Sequence, residues 1–263
     1  MSSPGTEPTG SARKRIGLLY PTPDAGEDDF LDLAARLRPA LQVEVVYLPW
    51  PTDVDDLATL DIEQVTDAVR RLGSAAHLEQ VLPGALAGRP ADAVAFAVNS
   101  ASFLDGPAGV AQQVDTLRRL SGRPATTTTA AFQQAIRWLA LRRVSLASVY
   151  HPDLSDHFVA RIRDAGADVV GRVDAAAGSD RELAAWPPQR IVDLVRRAAH
   201  PRAEAVLLPE TALHTARLTR ELEEAAGCPV LTATQVTLWA AARLLDVPAT
   251  SAEAGPLFTT SVL

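Results

Sequence analysis

Cysteine is nearly absent from this sequence, since Cys228 is the only one among 263 residues. A single cysteine excludes an internal disulfide and any metal site built from several cysteines.

Long apolar runs are missing as well. None approaches the roughly 18 residues that a membrane-spanning helix needs, so the sequence predicts no membrane segment. A cytoplasmic location is the expectation that follows.

Positive charge is also scarce. The chain has 25 Lys and Arg residues against 32 Asp and Glu residues, which gives a net charge of −7, and Lys14 is its only lysine. Without a basic surplus to neutralise phosphates, the sequence argues against nucleic acid or an anionic membrane as a partner.

Residues Met1–Ala12 are small and polar, and they predict a disordered tail over residues 1–13 rather than a signal peptide.

Short apolar runs alternate with segments of helical periodicity along the rest of the chain. The runs that predict strands are Arg15–Tyr20, Val43–Leu48, Asp92–Val98, Val144–Tyr150, Ala167–Val173, Ala205–Leu208 and Val230–Thr232. The segments that predict helices are Asp28–Leu37, Ile62–Leu82, Val110–Leu120, Ala131–Leu141, Asp153–Ala165, Pro188–Ala198, Thr215–Ala226 and Thr234–Leu245. This alternation predicts an α/β fold in which helices cover both faces of parallel sheets.

An internal repeat divides the chain into two halves. Ile16–Asp24 resembles Val144–Asp153, and Asp92–Phe103 resembles Glu204–Thr215. We therefore predict two similar three-layer α/β halves with parallel sheets, related by a pseudo-twofold axis. The first half is assigned to residues 14–122 plus 231–263 and the second to residues 123–230. Because ligands bind at the carboxyl ends of parallel strands, the active-site cleft is expected between the halves.

Several segments carry a family resemblance. They are Arg15–Pro21 (RIGLLYP), Ala95–Phe103 (AFAVNSASF), Ala125–Ala130 (ATTTTA), Pro209–Thr215 (PETALHT) and Gly227–Trp239 (GCPVLTATQVTLW). In this order they resemble the Asp/Glu racemase superfamily, most closely the branch of maleate cis-trans isomerases and arylmalonate decarboxylases. The closing segment is the most specific. The resemblance implies the same two-halved fold and an enzyme acting on a small carboxylic acid.

The isomerases and racemases of this superfamily use two cysteines, one from each half, to move protons on opposite faces of the substrate. The resemblance places Val98 and Glu210 at those two positions. Cys228 falls at a variable position of the closing segment, where we expect no catalytic role. Racemisation by two thiols is therefore chemically unavailable to this chain, and Val98 is expected to form an apolar wall.

The chemistry that the resemblance still implies is stabilisation of an enediolate by hydrogen-bond donors. Asn99 and Ser100 stand at donor positions of the family, and Tyr150 stands where relatives contact the substrate carboxylate. Thr211 offers a hydroxyl and a backbone N–H group at an expected helix start. Asp24 replaces an Asn that binds carboxylate in isomerases, and its negative charge argues against a dicarboxylate substrate. His214, one turn after the Glu210 position, is a further candidate for substrate binding.

Glu210 is the strongest catalytic candidate. A carboxyl group at a strand end among apolar neighbours is expected to have a raised pKa, which suits a general acid or base. The alternative is a structural carboxylate in the first turn of a helix, where it interacts with the helix dipole.

The preferred hypothesis is a cofactor-independent and metal-free lyase or isomerase that decarboxylates a small carboxylic acid, with Glu210 as the proton donor. Two alternatives stay open. In the first alternative, the chain has lost catalysis and binds a small molecule or a partner in the cleft. In the second, it is a hydrolase or hydratase in which Glu210 activates water. Relatives often pair, so a homo-oligomer is compatible with the sequence.

Overall fold

The computed structural model describes residues 14–54 and 60–259. The predicted tail lies outside the described residues. Within the described ranges, no helix combines the length and the apolar character that crossing a bilayer requires.

The first sheet has four parallel strands. They are β1 (Arg15–Tyr20), β2 (Gln42–Tyr47), β3 (Ala93–Phe96) and β4 (Ala125–Thr127), in the spatial order β2-β1-β3-β4. Strand β1 is central, and its residue Ile16 pairs with Val43 on one side and Ala93 on the other. Strand β3 is buried on both faces, which explains why its sequence is apolar throughout.

The second sheet repeats this arrangement. Its strands are β5 (Arg143–Ser148), β6 (Asp168–Asp174), β7 (Ala205–Leu208) and β8 (Val230–Thr232), in the order β6-β5-β7-β8. All three pairings are parallel. The identical strand order in both sheets confirms the predicted α/β fold with two similar halves.

Helices connect the strands. They are α1 (Glu27–Arg36), α2 (Ile62–Gly73), α3 (Ala75–Leu86), α4 (Ser100–Phe103), α5 (Gly106–Ser121), α6 (Thr128–Trp138), α7 (Pro152–Asp164), α8 (Asp180–Ala184), α9 (Pro188–Ala198), α10 (Thr219–Ala226) and α11 (Ala233–Leu244), followed by a 3-10 turn at Pro256–Phe258. Helix α11 packs against α1, α6, β3 and β4, so the end of the chain returns to the first sheet.

Three sequence-based boundaries need correction. The division between the halves differs from the predicted 14–122 plus 231–263, because strand β4 belongs to the first sheet and Leu231 and Thr232 of strand β8 belong to the second. The predicted helix Ile62–Leu82 is two helices that meet at Ser74, whose backbone is extended and whose hydroxyl accepts a hydrogen bond from His77 N–H at the start of α3. Helix α10 begins at Thr219 rather than at Thr215.

Candidate active site

A cavity of about 290 Å³ lies between the two halves. Its walls come from residues at or just beyond the carboxyl ends of strands in both sheets. Tyr20 ends β1 and Val98 follows β3, whereas Tyr150, Ala176 and Glu210 follow β5, β6 and β7. The convergence of strand ends predicted from the sequence is therefore present in the structure, and one cavity receives residues from each half.

Apolar side chains form much of the cavity wall. They include Trp50, Leu60, Ile62, Val65, Val69 and Leu154. Trp50 is fixed in place by a hydrogen bond from its Nε1 to Thr22 Oγ1 at 3.1 Å. No Lys or Arg occurs among the described residues that line this cavity. A ligand therefore meets an apolar surface on which recognition depends on hydrogen bonds and carboxyl groups rather than on cations.

Glu210 is buried at the cavity wall, with 8% of its surface exposed. Its Oε1 accepts a hydrogen bond from Ala212 N–H at 2.8 Å, and Thr211 Oγ1 lies 3.4 Å from the same oxygen. Burial raises the pKa of Glu210 to about 7, and the negative charge of Asp180 adds to the rise, whereas the hydrogen bond from Ala212 N–H and the nearby Tyr150 hydroxyl oppose it. Near neutral pH this carboxyl group exists in both protonation states, as a general acid or base requires.

The alternative interpretation of Glu210, a carboxylate in the first turn of a helix, does not fit the structure. The next helix, α10, begins only at Thr219. Thr211 is likewise not at a helix start, although it lines the cavity and is buried. The rise in the pKa of Glu210 also opposes a helix-dipole role, because a helix N-terminus stabilises the ionised form of a carboxyl group.

The segment that follows Glu210 is held to the first half by a buried carboxylate. Asp29 on α1 accepts hydrogen bonds from Ala216 N–H at 2.8 Å, from Thr215 Oγ1 at 3.1 Å and from Thr234 Oγ1 at 2.7 Å. Burial raises the pKa of Asp29 against these hydrogen bonds. These contacts hold Thr215 and Ala216 in a non-helical segment, which explains why the helical pattern starts later than its sequence suggests.

Asn99 bridges the two halves. It is buried, its Nδ2 donates to Pro209 O at 2.8 Å, and its Oδ1 accepts from Thr129 Oγ1 at 2.7 Å. The Asn99 amide also interacts with the Tyr150 hydroxyl, which opposes the rise in the pKa of Tyr150. Ser100, the first residue of α4, lines the cavity beside it and is half-buried. Both predicted donors therefore line the cavity, and Asn99 also links the two halves through its hydrogen bond to Pro209 O.

Two tyrosines approach Glu210 from different halves. Tyr150 Oη donates to Pro209 O at 2.7 Å, so a single carbonyl accepts from both Tyr150 and Asn99. Tyr20 Oη lies 2.7 Å from Ala25 O and 3.0 Å from Thr211 O. Burial, followed by the charge of Glu210, raises the pKa of both tyrosines, which keeps their hydroxyls protonated as donors. Tyr150 can reach a ligand only by leaving Pro209 O, since it has one proton to donate.

Two predicted site residues do not line the cavity. Asp24 is exposed and has a positive φ of 57°, with its backbone N–H donating to Glu27 Oε1. His214 Nε2 lies 2.8 Å from Asp28 Oδ1 on the exposed surface. The structure therefore gives no support to Asp24 as a group that repels or binds substrate, because its position follows from the turn before α1. Cys228 is half-buried outside the cavity lining as well.

Sequence reasoning missed several lining residues. Asp180 and His151 line the cavity together with Tyr20 and Trp50. The side chain of His151 is 43% exposed at the start of α7. Asp180 begins α8, a helix of five residues that the sequence did not predict. A signal existed for Tyr20, because it aligns with Tyr150 in the internal repeat.

A protein-family model described as arylmalonate decarboxylase matches residues 57–258. The arylmalonate decarboxylase of Bordetella bronchiseptica is 29% identical over 185 residues, which are 70% of this chain and 71% of that protein.

Solved structures agree with this match. A crystal structure of arylmalonate decarboxylase is similar with a TM-score of 0.68 at 27% identity, and the match covers 93% of this chain and 98% of that chain. A maleate isomerase from Pseudomonas putida S16 is similar with a TM-score of 0.78 at 17% identity, covering 95% of this chain and 100% of that chain. At that identity the isomerase is evidence for the fold alone.

Proposed function

The chain belongs to the arylmalonate decarboxylase family, and from this premise we propose that it decarboxylates a malonate with an apolar α-substituent, without a cofactor, using Glu210 as the proton donor. The observation that carries the proposal is the combination of Glu210 and Val98 in one cavity. Glu210, with a pKa of about 7, comes from one half, and Val98, which has no group able to transfer a proton, comes from the other.

In the proposed reaction, the bond between the α-carbon and the departing carboxylate breaks, and CO₂ leaves. The electron pair of that bond passes to the remaining carboxylate fragment, which becomes an enediolate. The protonated Glu210 then delivers its proton to the α-carbon and recovers one from solvent. A malonate dianion and one proton thus give a monocarboxylate and CO₂.

Hydrogen-bond donors from both halves would stabilise the enediolate. The side chains that line the cavity and can donate are Ser100, Asn99 and, after its hydroxyl leaves Pro209 O, Tyr150. Fixed donors directed at developing charge in a site that excludes water are a large contribution to catalysis. The apolar wall around Ile62 and Leu154 suits the substituent, and an apolar surface beside the departing carboxylate favours its conversion to neutral CO₂.

The test is turnover of phenylmalonate in D₂O. Wild-type protein is expected to release CO₂ and to give phenylacetate with one deuterium at the α-carbon. Glu210→Gln is expected to lower kcat by about 10²–10⁴-fold, the usual contribution of a general acid. Glu224→Gln, which removes an exposed carboxylate from α10, is the matched control and should retain full activity.

Full turnover by Glu210→Gln would refute the assignment of the proton donor. Binding of phenylmalonate without consumption would instead favour the non-catalytic alternative. Incorporation of oxygen-18 from labelled water into the product would favour a hydrolase or hydratase.

A further inference from the structure

We propose that Asp180 determines substrate specificity, and that the cavity takes acids whose apolar substituent ends in an ammonium group. This inference rests on the proposed function, because it assumes that the cavity binds a carboxylic acid.

The position of Asp180 is the first support. It lines the same cavity as Glu210 and is half-buried at the start of α8. It lies close enough to the other ionisable groups for its charge to raise the pKa of both Glu210 and Tyr20. Asp180 therefore acts on the interior of the cavity rather than on bulk solvent.

The lack of a protein partner is the second support. Over residues 14–54 and 60–259, the carboxylate of Asp180 accepts a hydrogen bond from the N–H of its neighbour Arg181 at 3.0 Å and forms no ion pair. Elsewhere on this molecule, acidic side chains such as Asp32, Asp53 and Asp156 pair with arginines. Among the residues that the structure describes, the lining of this cavity contains no Lys or Arg, so a cationic group on a ligand would give the carboxylate of Asp180 a charge-assisted partner that the protein does not provide.

The third support is the surface around Asp180. Val149, Leu154 and Leu183 line the cavity with it and offer an apolar path for the body of a substituent. An acid bound with its carboxylate at Ser100 and Asn99 would extend its substituent along this surface. An ammonium group at the far end would then neutralise Asp180 in a partly desolvated setting, where hydrogen bonds to charged groups are strong.

The experiment compares two acids of nearly equal shape by titration calorimetry. In 4-(aminomethyl)phenylacetate the substituent ends in an ammonium, and in 4-ethylphenylacetate a methyl group takes its place. Wild-type protein is expected to bind the ammonium acid about tenfold more tightly, in line with the usual strength of a charge-assisted hydrogen bond. In Asp180→Asn, and in Asp180→Ser as a second variant, the preference is expected to vanish.

The matched control is Asp153→Asn, which removes an exposed carboxylate that is not part of the cavity lining and should keep the preference. Equal preference in wild type and both Asp180 variants would overturn the proposal, as would a wild type that favours the ethyl compound or binds neither acid. Both probes resemble products, so the measurement does not depend on turnover. A protein that shows the Asp180 preference yet fails to decarboxylate malonates would refute the proposed function and leave this specificity intact.

Discussion

Replacement of Glu210 by Gln should change how the stability of the protein depends on pH. The ordinary Glu pKa of 4.5 is raised to about 7 in the folded protein. Below pH 4.5 the carboxyl group is protonated in the folded and unfolded states alike. Between the two values the unfolded chain releases its proton while the folded protein keeps it, so stability falls as pH rises.

The magnitude follows from this interval. Each pH unit corresponds to about 1.4 kcal/mol for one proton, so the contribution of Glu210 lost between pH 4.5 and 7 is about 3 kcal/mol. Above the folded pKa both states are ionised and the loss levels off. Glu210→Gln cannot ionise, and its side-chain oxygen can still accept from Ala212 N–H. Between pH 4.5 and 7, the free energy of unfolding of the variant should therefore rise by about 3 kcal/mol relative to that of the wild type.

Urea unfolding at a series of pH values measures this difference, with the four tryptophans as the fluorescence probe. The contributions of other titrating groups, such as Asp29, cancel when the free energies of unfolding of wild type and variant are subtracted at each pH. Glu224→Gln corrects for a general effect of exchanging Glu for Gln on the surface. A difference between wild type and Glu210→Gln that stays constant from pH 4.5 to 8, or that changes in the opposite sense, would refute the burial argument for this carboxyl group.

Three further predictions test other parts of the site. The kcat/KM for phenylmalonate should fall as pH rises above about 7, because Glu210 must be protonated to donate, and a flat pH-rate profile to pH 9 would contradict this. Val98→Cys adds a proton-transfer group from the first half, so chiral chromatography should show slow racemisation of a 2-arylpropionate by the variant and none by wild type. Asp29→Ala leaves three hydrogen-bond donors without their acceptor and should lower the free energy of unfolding by about 3 kcal/mol in urea titrations, whereas the exposed Asp28→Ala should have little effect. Persistence of the wild-type unfolding midpoint in Asp29→Ala would show that those donors find other partners.

The strands were the most predictable part of the fold. Arg15–Tyr20, Ala205–Leu208 and Val230–Thr232 match the observed strands residue for residue, because each is a short apolar run with a clear local boundary. Strand β4, of only three residues, was not predicted, since Thr126 and Thr127 are polar and their burial depends on pairing with β3.

Predicted helix boundaries were wrong at Ser74 and at the start of α10, where contacts with residues far away in the sequence determine where the helix begins. The apolar spacing of Ile62–Leu82 continues through Ser74, and the prediction followed that spacing rather than the Gly73–Ser74 pair, where one helix ends and Ser74 caps the next. The delayed start of α10 depends on Asp29, which is remote in sequence. Such tertiary contacts override local helical periodicity.

The same distinction applies to the site. Five lining residues could be selected from the sequence, because the family resemblance marks their positions at or next to predicted strands: Val98, Asn99, Ser100, Tyr150 and Glu210. Asp180 could not, because it lies in a short helix after β6 and reaches the cavity only through the order of the strands in the second sheet.

The repeated strand order has a consequence for stereochemistry. Strands β3 and β7 hold the same place in their sheets, and Val98 and Glu210 are each the second residue beyond the strand end. In a symmetric homodimer any change at one of these positions would appear at both. A single covalent chain has no such constraint, so the two equivalent positions can carry different residues. In the proposed reaction, a planar enediolate held between them would meet a proton source on one enantioface and a hydrocarbon on the other. The handedness of the product would then follow from the difference between two equivalent strand ends.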